Sequence, residues 1–300
     1  MITSRIARVY AEGGLAGLVL AAAEEVLRGS GTLLIHAASR LPSPGISLSS
    51  RSREILGRNE VLKGKHREQR CFVIGNGPSL KTQDLSPLAR EITFAMSAFW
   101  KHPIVAKWQP TYYCFADPAF FDGSEPMREF FRALRGRIHS STFFVPLSAA
   151  KVVEEQDLLP PEQTYYIAFC GRLSHSRIPR IDLAKFVPRV QSTSQLGIMA
   201  AMYMGCSPIY LLGLDHDWLS HRGMDRHFYE GKTIENHPEA HGDLSRYTYK
   251  SQLEAVLNLW NGYEALLRLS RRQGIDIVNA TNGGFLDVFE RADYEELLGR

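Results

Sequence analysis

The sequence predicts an α/β protein built on a Rossmann-like, mostly parallel sheet with helices on both faces, preceded by an N-terminal helical extension. From Cys71 onward, short apolar runs alternate with segments of helical character, which is the pattern of a parallel sheet. The first apolar run breaks into a Gly-x-Gly-Pro-Ser turn, as many nucleotide-binding sheets do. A chain of 300 residues, 44% hydrophobic and 22% charged, suffices for one large domain with an appendage.

Residues 1–68 form the predicted extension, and residues 69–300 the predicted catalytic domain. Apolar residues between Leu15 and Leu27 recur at helical spacing, and Gly29 to Gly31 ends that helix. A Pro-, Gly- and Ser-rich linker follows over 42–52. Between Arg40 and Arg70, eight Arg or Lys residues face three Glu residues. This basic stretch is either a solvated linker or a surface that meets anionic lipid or a charged glycan acceptor.

The composition of the sequence indicates the cellular compartment of the protein and excludes some classes of partner. The apolar run over 15–23 is shorter than the roughly 20 residues of a membrane-spanning helix, and no cleavable signal follows it. The four cysteines show no Cys-x-x-Cys spacing, which favours reduced core residues in a cytoplasmic protein. A formal charge of +3 requires no nucleic-acid partner, and none is predicted. Peripheral membrane contact through residues 1–68 and a homo-oligomer stay open.

The turn after the first strand, Gly75 to Ser79, is the first candidate site. Two glycines, a proline and a hydroxyl would leave backbone N–H groups pointing into a concave space that suits an anion such as phosphate. The alternative is an ordinary strand-to-helix turn. A short helix over 80–90 follows in the prediction. The next elements are strands over 92–96, 111–116, 141–145 and 165–169, with a helix over 125–134 between the second and third of these strands.

A second candidate site begins at Ser192-Thr193-Ser194, which stands directly before an apolar helix over 196–204. Hydroxyl residues there indicate an N-cap, and a helix N-terminus also attracts anions. A basic run over 172–189 precedes it, as either a solvated face or the wall of a phosphate or carboxylate pocket. The strand over 208–213 then delivers Asp215 and Asp217 to the carboxyl edge of the sheet, where ligands bind.

The segment from His216 to His241 holds five of the ten histidines and lacks clear periodicity, so it is predicted to be a loop or lid over the site. A long helix over 244–272 and a last strand over 275–279 complete the prediction.

These motifs, in this order and spacing, resemble the Rossmann-like domain shared by 6-hydroxymethylpterin diphosphokinases of the archaeal type, bacterial sialyltransferases and flagellin-modifying glycosyltransferases that use nonulosonic acids. The motifs that carry the resemblance are Gly75-Asn-Gly-Pro-Ser79, Pro110-Thr-Tyr-Tyr113 running to Asp117, Thr193-Ser194, and Ile209-Tyr-Leu-Leu-Gly-Leu-Asp215, and the match covers about residues 69–300. The tail over 279–291 also resembles that of stand-alone bacterial members with surface-polysaccharide functions.

The sialyltransferase branch implies a metal-independent glycosyltransferase that moves a nonulosonic acid from a CMP-linked donor to a surface-glycan acceptor. The resemblance assigns the nucleotide to Gly75, Asn76, Gly77 and Ser79, and its phosphate to Thr193 and Ser194; Asp117 and Asp215 complete this nucleotide-binding set. It also implies a histidine base after the Gly-x-Asp strand, which deprotonates the acceptor hydroxyl. His227 is the first candidate base and His241, which precedes the last long helix, the second; Asp217 is a carboxylate alternative.

Three alternatives remain at this point. The diphosphokinase branch would need Mg²⁺ beside a nucleoside triphosphate, held by Asp117, Asp215 and Asp217. The aspartates and histidines after the Gly-x-Asp strand could instead bind a transition metal, although their spacing fits no known motif and no metal ligand is assigned. A non-enzymatic carbohydrate-binding or assembly role is the third alternative.

Overall fold

The computed structural model describes residues 48–173, 180–220, 228–229 and 248–299. By its contacts the chain divides into two units, Met1–Ser47 and Leu48–Arg300. The helix predicted over residues 15–27 lies outside the described residues. Within the ranges that are described, no helix combines the length and the apolar character needed to cross a bilayer.

The second unit contains a parallel sheet of nine strands. Most of its strands are short apolar runs buried on both faces, as expected of a parallel sheet covered by helices. The strands are β1 (Cys71–Ile74), β2 (Ile92–Met96), β3 (Tyr112–Cys114), β4 (Thr142–Pro146), β5 (Thr164–Arg172), β6 (Phe186–Arg189), β7 (Ile209–Leu212), β8 (Ile277–Asn279) and β9 (Glu290–Arg291).

The strand order is β6-β5-β4-β3-β2-β1-β7-β8-β9, and every neighbouring pair is parallel. The chain therefore builds outward from β1 to β6, returns to the other side of β1, and continues outward from β7. Cys71 pairs with both Ile92 of β2 and Ile209 of β7. The direction of winding reverses between β1 and β7, and this switch point is where open α/β sheets bind ligands, at the carboxyl edge.

Helices cover both faces of the sheet, as the sequence predicts. The helices of the described residues are α1 (Ser50–Gly57), α2 (Glu125–Arg135), α3 (Ala150–Glu155), α4 (Thr193–Met204), α5 (Tyr249–Gln273) and α6 (Tyr294–Leu297). The longer helices α4 and α5 pack on one face, and α2 and α3 pack on the other. The fold is thus a Rossmann-like α/β fold.

Several elements of the structure differ from the prediction. The helix expected over 80–90 is replaced by two short 3-10 segments, Pro78–Lys81 and Ser86–Arg90. Pro87 lacks the N–H that an α-helix would use, and the Asp84 carboxylate accepts a hydrogen bond from the Ser86 N–H and starts a new turn. The basic run over 172–189 contains strand β6 at its end, which the sequence did not predict. Its Pro188 is tolerated because β6 is an edge strand.

Residues 48–68 pack with the sheet, although the sequence assigned them to the extension and linker. Leu56 of α1 is buried, and the buried Asn59 side chain donates hydrogen bonds to the carbonyls of Tyr166 (2.8 Å) and Leu183 (2.7 Å). The compact unit consequently begins at Leu48, ahead of the predicted boundary at residue 68. The loop expected over residues 216–241 is described only at 216–220 and 228–229.

Candidate functional site

A cavity of about 790 Å³ opens at the carboxyl edge of the sheet, around the switch point between β1 and β7. Residues that directly follow the five strands β1, β2, β4, β6 and β7 line it, because the carboxyl ends of parallel strands meet at one edge. Its polar lining includes Asn76, Ser97, Asp117, Ser148, Arg189, Gln191, Ser192, Thr193, Asp215, His216 and Asp217. Seven residues assigned to the site from sequence therefore line one cavity: Gly75, Asn76, Gly77, Asp117, Thr193, Asp215 and Asp217.

The glycine turn after β1 is packed against the loop after β7. The N–H of Gly75 donates to the Leu212 carbonyl (2.8 Å), and the N–H of Gly77 donates to the Gly213 carbonyl (2.9 Å). A Cβ atom on Gly75 would lie 2.4 Å from the Gly213 oxygen, so no side chain fits there. These two N–H groups are therefore used within the fold, and the turn does not form the anion cradle that the sequence predicted.

Asp215 fixes this turn from the other side. Its Oδ1 accepts a hydrogen bond from the Ser79 N–H (3.0 Å), and its Oδ2 accepts one from the Ser79 hydroxyl (2.8 Å). Burial raises the pKa of Asp215, and the two bonds from Ser79 oppose that rise because they stabilise the carboxylate. The hydroxyl of Ser79 is thus engaged with Asp215 behind the cavity wall.

The N-terminus of α4 faces the cavity through Thr193. Ser192 is the N-cap, and its hydroxyl accepts a hydrogen bond from the Ser194 N–H (3.3 Å). The first turn of α4 contains no Asp or Glu in the sequence, so the positive end of the helix dipole is not neutralised by its own side chains. Arg189, at the end of β6, lines the same cavity. The cavity lining therefore includes both a helix N-terminus and an arginine, and such groups suit one phosphate or carboxylate group.

A chain of hydrogen bonds connects this wall to the loop after β7. Nε2 of His216 lies 2.7 Å from the Tyr263 hydroxyl, which lies 2.5 Å from the hydroxyl of Ser194. The Ser194 hydroxyl lies 2.8 Å from that of Ser192. Ser194 and Tyr263 are fully buried, so the Ser194 side chain lies behind the wall, whereas Ser192 and His216 line the cavity.

His216 stands in an unusual setting. Its backbone has a left-handed conformation (φ 50°), and its ring contacts the rings of Trp218, Trp260 and Tyr263. Burial among these rings lowers the pKa of His216 to about 4, because the charged imidazolium would lose its hydration. The imidazole is therefore neutral at pH 7.

Phe228 and Tyr229 lie beside the cavity and are held there by a backbone hydrogen bond and by ring contacts. The N–H of Phe228 donates to the carbonyl of Asn76 (2.9 Å), and the Phe228 ring packs edge-on against Phe99 and His102. The ammonium group of Lys101 lies 4.9 Å from the centre of the Tyr229 ring. Both predicted bases, His227 and His241, fall outside the described residues. Asp217, the third candidate, lines the cavity.

The three aspartates of the magnesium alternative do not converge on one point. Asp215 accepts from Ser79 through both oxygens, and Asp117 Oδ1 accepts from the Ala119 N–H (2.9 Å). Across the described ranges, no group of three His, Cys, Asp or Glu side chains is arranged to hold a metal ion.

Sequence reasoning did not assign Arg189, His216 and Tyr263 individually to this site. Arg189 was counted only within a basic run, and His216 only within a group of histidines. The hydroxyl of Tyr263 lies on a helix that the sequence places among apolar core elements. No local pattern distinguishes it from other core tyrosines.

No protein-family model matches the sequence, and no curated protein sequence matches it. Among solved structures, the chain is similar to the sialyltransferase CstII from Campylobacter jejuni, determined in complex with the substrate analogue CMP-3FNeuAc. That similarity has a TM-score of 0.46 and 13% identity, and covers 75% of this chain and 87% of CstII. A mammalian sialyltransferase in complex with Gal-beta-1-3GalNAc-ortho-nitrophenol has a TM-score of 0.36 and 13% identity, covering 85% of this chain and 86% of that one.

Proposed function

We propose that this chain is a glycosyltransferase that transfers a nonulosonic acid from a CMP-linked donor to the hydroxyl of a surface-glycan acceptor. The observation that carries the proposal is the wall formed by the N-terminus of α4 and Arg189, within a cavity at the switch point of a parallel sheet. The sequence motifs that resemble the sialyltransferase branch meet around this cavity.

The charges of the wall favour a nucleoside monophosphate. A helix N-terminus carries roughly half a positive charge, and Arg189 adds a full one. Together they approximately match a single phosphate group. A nucleoside di- or triphosphate would bring one or two further negative charges, and these are usually balanced by Mg²⁺. Monophosphate recognition by protein groups alone is therefore the simpler match.

The reaction follows from these contacts. The acceptor hydroxyl attacks the anomeric carbon of the donor sugar, the bond from that carbon to the phosphate oxygen breaks, and cytidine monophosphate leaves. The α4 N-terminus and Arg189 stabilise the charge that grows on the departing phosphate. A base takes the proton of the attacking hydroxyl, so that the acceptor reacts as an oxyanion equivalent.

His227 is the proposed base. Support comes from its neighbour in sequence, Phe228, whose N–H is bound to Asn76 at the cavity. His241 is the second candidate and Asp217 the third. Gly75, Asn76, Gly77 and Asp117 would contact the nucleoside, Thr193 its phosphate, and Ser79 with Asp215 and Ser194 would support these contacts from behind. The cysteines are free thiols, which fits a reaction in the cytoplasm.

The test is a thermal-shift panel of the purified chain with cytidine mono-, di- and triphosphate, UDP, GDP and ATP, each with and without Mg²⁺. A ligand at about 100 times its Kd adds roughly 2.7 kcal/mol of stability, which raises the melting temperature measurably. We expect a metal-independent shift with cytidine monophosphate, followed by release of this nucleotide from a CMP-linked nonulosonic acid. A shift only with ATP and Mg²⁺ would contradict the proposal and favour pyrophosphoryl transfer.

A further inference from the structure

His216 and the α4 N-terminus lie on two walls of the cavity that a continuous line of hydroxyl groups joins. The line runs from His216 Nε2 through Tyr263 and Ser194 to Ser192, with separations of 2.7, 2.5 and 2.8 Å. Its two middle members are fully buried. Each hydroxyl in the line has one proton to donate, so a hydroxyl that donates to one neighbour can only accept from the other.

We propose that His216 is a specificity-determining residue whose tautomer is set by the phosphate at the α4 N-terminus, so that Nδ1 accepts a hydrogen bond from a hydroxyl of the bound sugar. The inference rests on the proposed phosphate site.

The direction of the bonds follows from the phosphate. Ser192 lines the cavity beside Thr193, so a phosphate at the α4 N-terminus would also contact the Ser192 hydroxyl. Ionised phosphate oxygens only accept hydrogen bonds, so that hydroxyl must then donate its single proton to the ligand. Ser192 must then accept from the Ser194 hydroxyl, and Ser194 must accept from Tyr263. The Tyr263 oxygen, having donated its proton, accepts from His216. Nε2 of His216 consequently carries the hydrogen.

Because the imidazole of His216 is neutral, the direction of the hydrogen bonds decides whether Nδ1 donates or accepts. A neutral imidazole has one N–H and one lone pair, so a hydrogen on Nε2 leaves Nδ1 as an acceptor. The aromatic rings of Trp218, Trp260 and Tyr263 keep the imidazole from becoming charged. Among the described residues, none forms a hydrogen bond with Nδ1, and His216 lines the cavity. A hydroxyl of the donor sugar is a ligand group that can donate to this nitrogen.

If the hydrogen bonds of the line run in the opposite direction, Nδ1 of His216 becomes a donor and would select an acceptor group on the sugar. Without an anion at Ser192, the line can reverse, so that Tyr263 donates to Nε2 and Nδ1 carries the hydrogen. The site would then present a donor to the sugar. Phosphate and sugar are thus recognised together: occupation of one wall prepares the other for a hydroxyl. This coupling needs no movement of the backbone, only reorientation of protons along the line.

The tautomer can be measured directly. Long-range ¹H–¹⁵N correlation spectra of the full chain, labelled with ¹⁵N in its histidines, distinguish the two tautomers, and the His216→Phe variant assigns the signal. We expect the Nε2–H tautomer in the complex with cytidine monophosphate. Cytidine, which lacks the phosphate, should leave a mixture or the Nδ1–H form. The Nδ1–H form or an imidazolium in the monophosphate complex would overturn the inference.

Two variants test the line itself. In Tyr263→Phe, which removes one hydroxyl and keeps the ring, the tautomer should no longer respond to cytidine monophosphate, although the nucleotide still binds. If Tyr263→Phe does not fold, Ser192→Ala is compared at a cytidine monophosphate concentration that saturates it, because this variant also loses the hydrogen bond from Ser192 to the phosphate. An unchanged Nε2–H tautomer in either variant would overturn the inference.

Steady-state kinetics of His216→Phe distinguish recognition of the sugar by His216 from a purely structural role of this residue. His216→Phe should raise KM for the CMP-linked donor about 3- to 10-fold, the equivalent of one hydrogen bond, with the inhibition constant of cytidine monophosphate unchanged. Equal losses for both ligands would contradict the assignment. Failure of the proposed function looks different, because cytidine monophosphate would then not bind the wild-type chain at all.

Discussion

Gly77 and Asp215 lie so close together that only a glycine fits: a Cβ atom on Gly77 would stand 1.7 Å from Oδ2 of the Asp215 carboxylate. The same carboxylate holds Ser79 through two hydrogen bonds. The glycine turn and the Gly-x-Asp strand end are therefore two halves of one packed unit at the base of the cavity.

Gly77→Ala is expected to destabilise the chain by about 3 kcal/mol or more, because the new methyl group must displace a buried, hydrogen-bonded carboxylate. Urea unfolding measures the change. Gly57→Ala is the matched control: Gly57 has a helical backbone (φ −58°), and a Cβ atom there meets no atom within 4 Å. This control should be unchanged or slightly more stable. Equal stability of the two variants would contradict the close packing of Gly77.

The partly buried His216 should make stability depend on pH. Its pKa is lowered from 6.5 in the unfolded chain to about 4 in the folded one. Between these values the unfolded chain binds a proton that the folded chain does not, so stability is full above about pH 6.5 and falls as the pH decreases toward 4. The loss amounts to up to about 3 kcal/mol.

His216→Phe should flatten this part of the stability curve, measured by urea unfolding at several pH values. Burial also lowers the pKa of His66 and His102, but both residues are present in the two proteins compared. Their contribution cancels in the difference curve. Parallel curves for the wild type and His216→Phe would show that the imidazole is not held neutral by burial.

Arg189→Ala should weaken binding of cytidine monophosphate about 10-fold and leave cytidine unaffected, because in the proposed site the guanidinium would contact the phosphate and not the nucleoside. Titration calorimetry measures both. Arg172→Ala is the control, since Arg172 pairs with Arg189 across the neighbouring strand but is not part of the cavity wall. If both arginine variants lose the same affinity, Arg189 contributes only general positive charge.

His227→Ala should reduce kcat by about 10²- to 10⁴-fold with little change in cytidine monophosphate affinity, since a general base acts in the transition state. Steady-state kinetics with a CMP-linked donor measure this. Turnover within a few-fold of the wild type would remove His227 as the base. His241→Ala and Asp217→Asn would then be compared in the same assay.

The sequence predicted the strands of the sheet centre well because buried parallel strands are continuous apolar runs, as in Cys71–Ile74 and Ile209–Leu212. It missed β6, an edge strand with Pro188 among basic residues, because edge strands lack that apolar pattern. It also placed the N–H groups of Gly75 and Gly77 toward a ligand. Their true acceptors, the carbonyls of Leu212 and Gly213, lie far along the chain and leave no local trace.

The candidate site shows the same limit. Seven of the residues assigned from motif order line one cavity, since the ends of parallel strands share an edge. The hydroxyl of Ser79 is hydrogen-bonded to Asp215, and the hydroxyl of Ser194 to Tyr263. Both partners are distant in sequence, so no local pattern reveals these bonds. A sequence pattern can nominate a hydroxyl, but it cannot show whether that hydroxyl is already engaged.

The junction of Ser79 with Asp215 spans 136 residues of sequence. Closing so long a loop is entropically costly and slow compared with local contacts, so we expect β7 to join β1 late in folding, after β1 to β4 have begun to associate. Nucleotide binding would then report completion of the fold: a nascent or truncated chain that ends before β7 could contain most of the sheet and still be unable to take up its substrate.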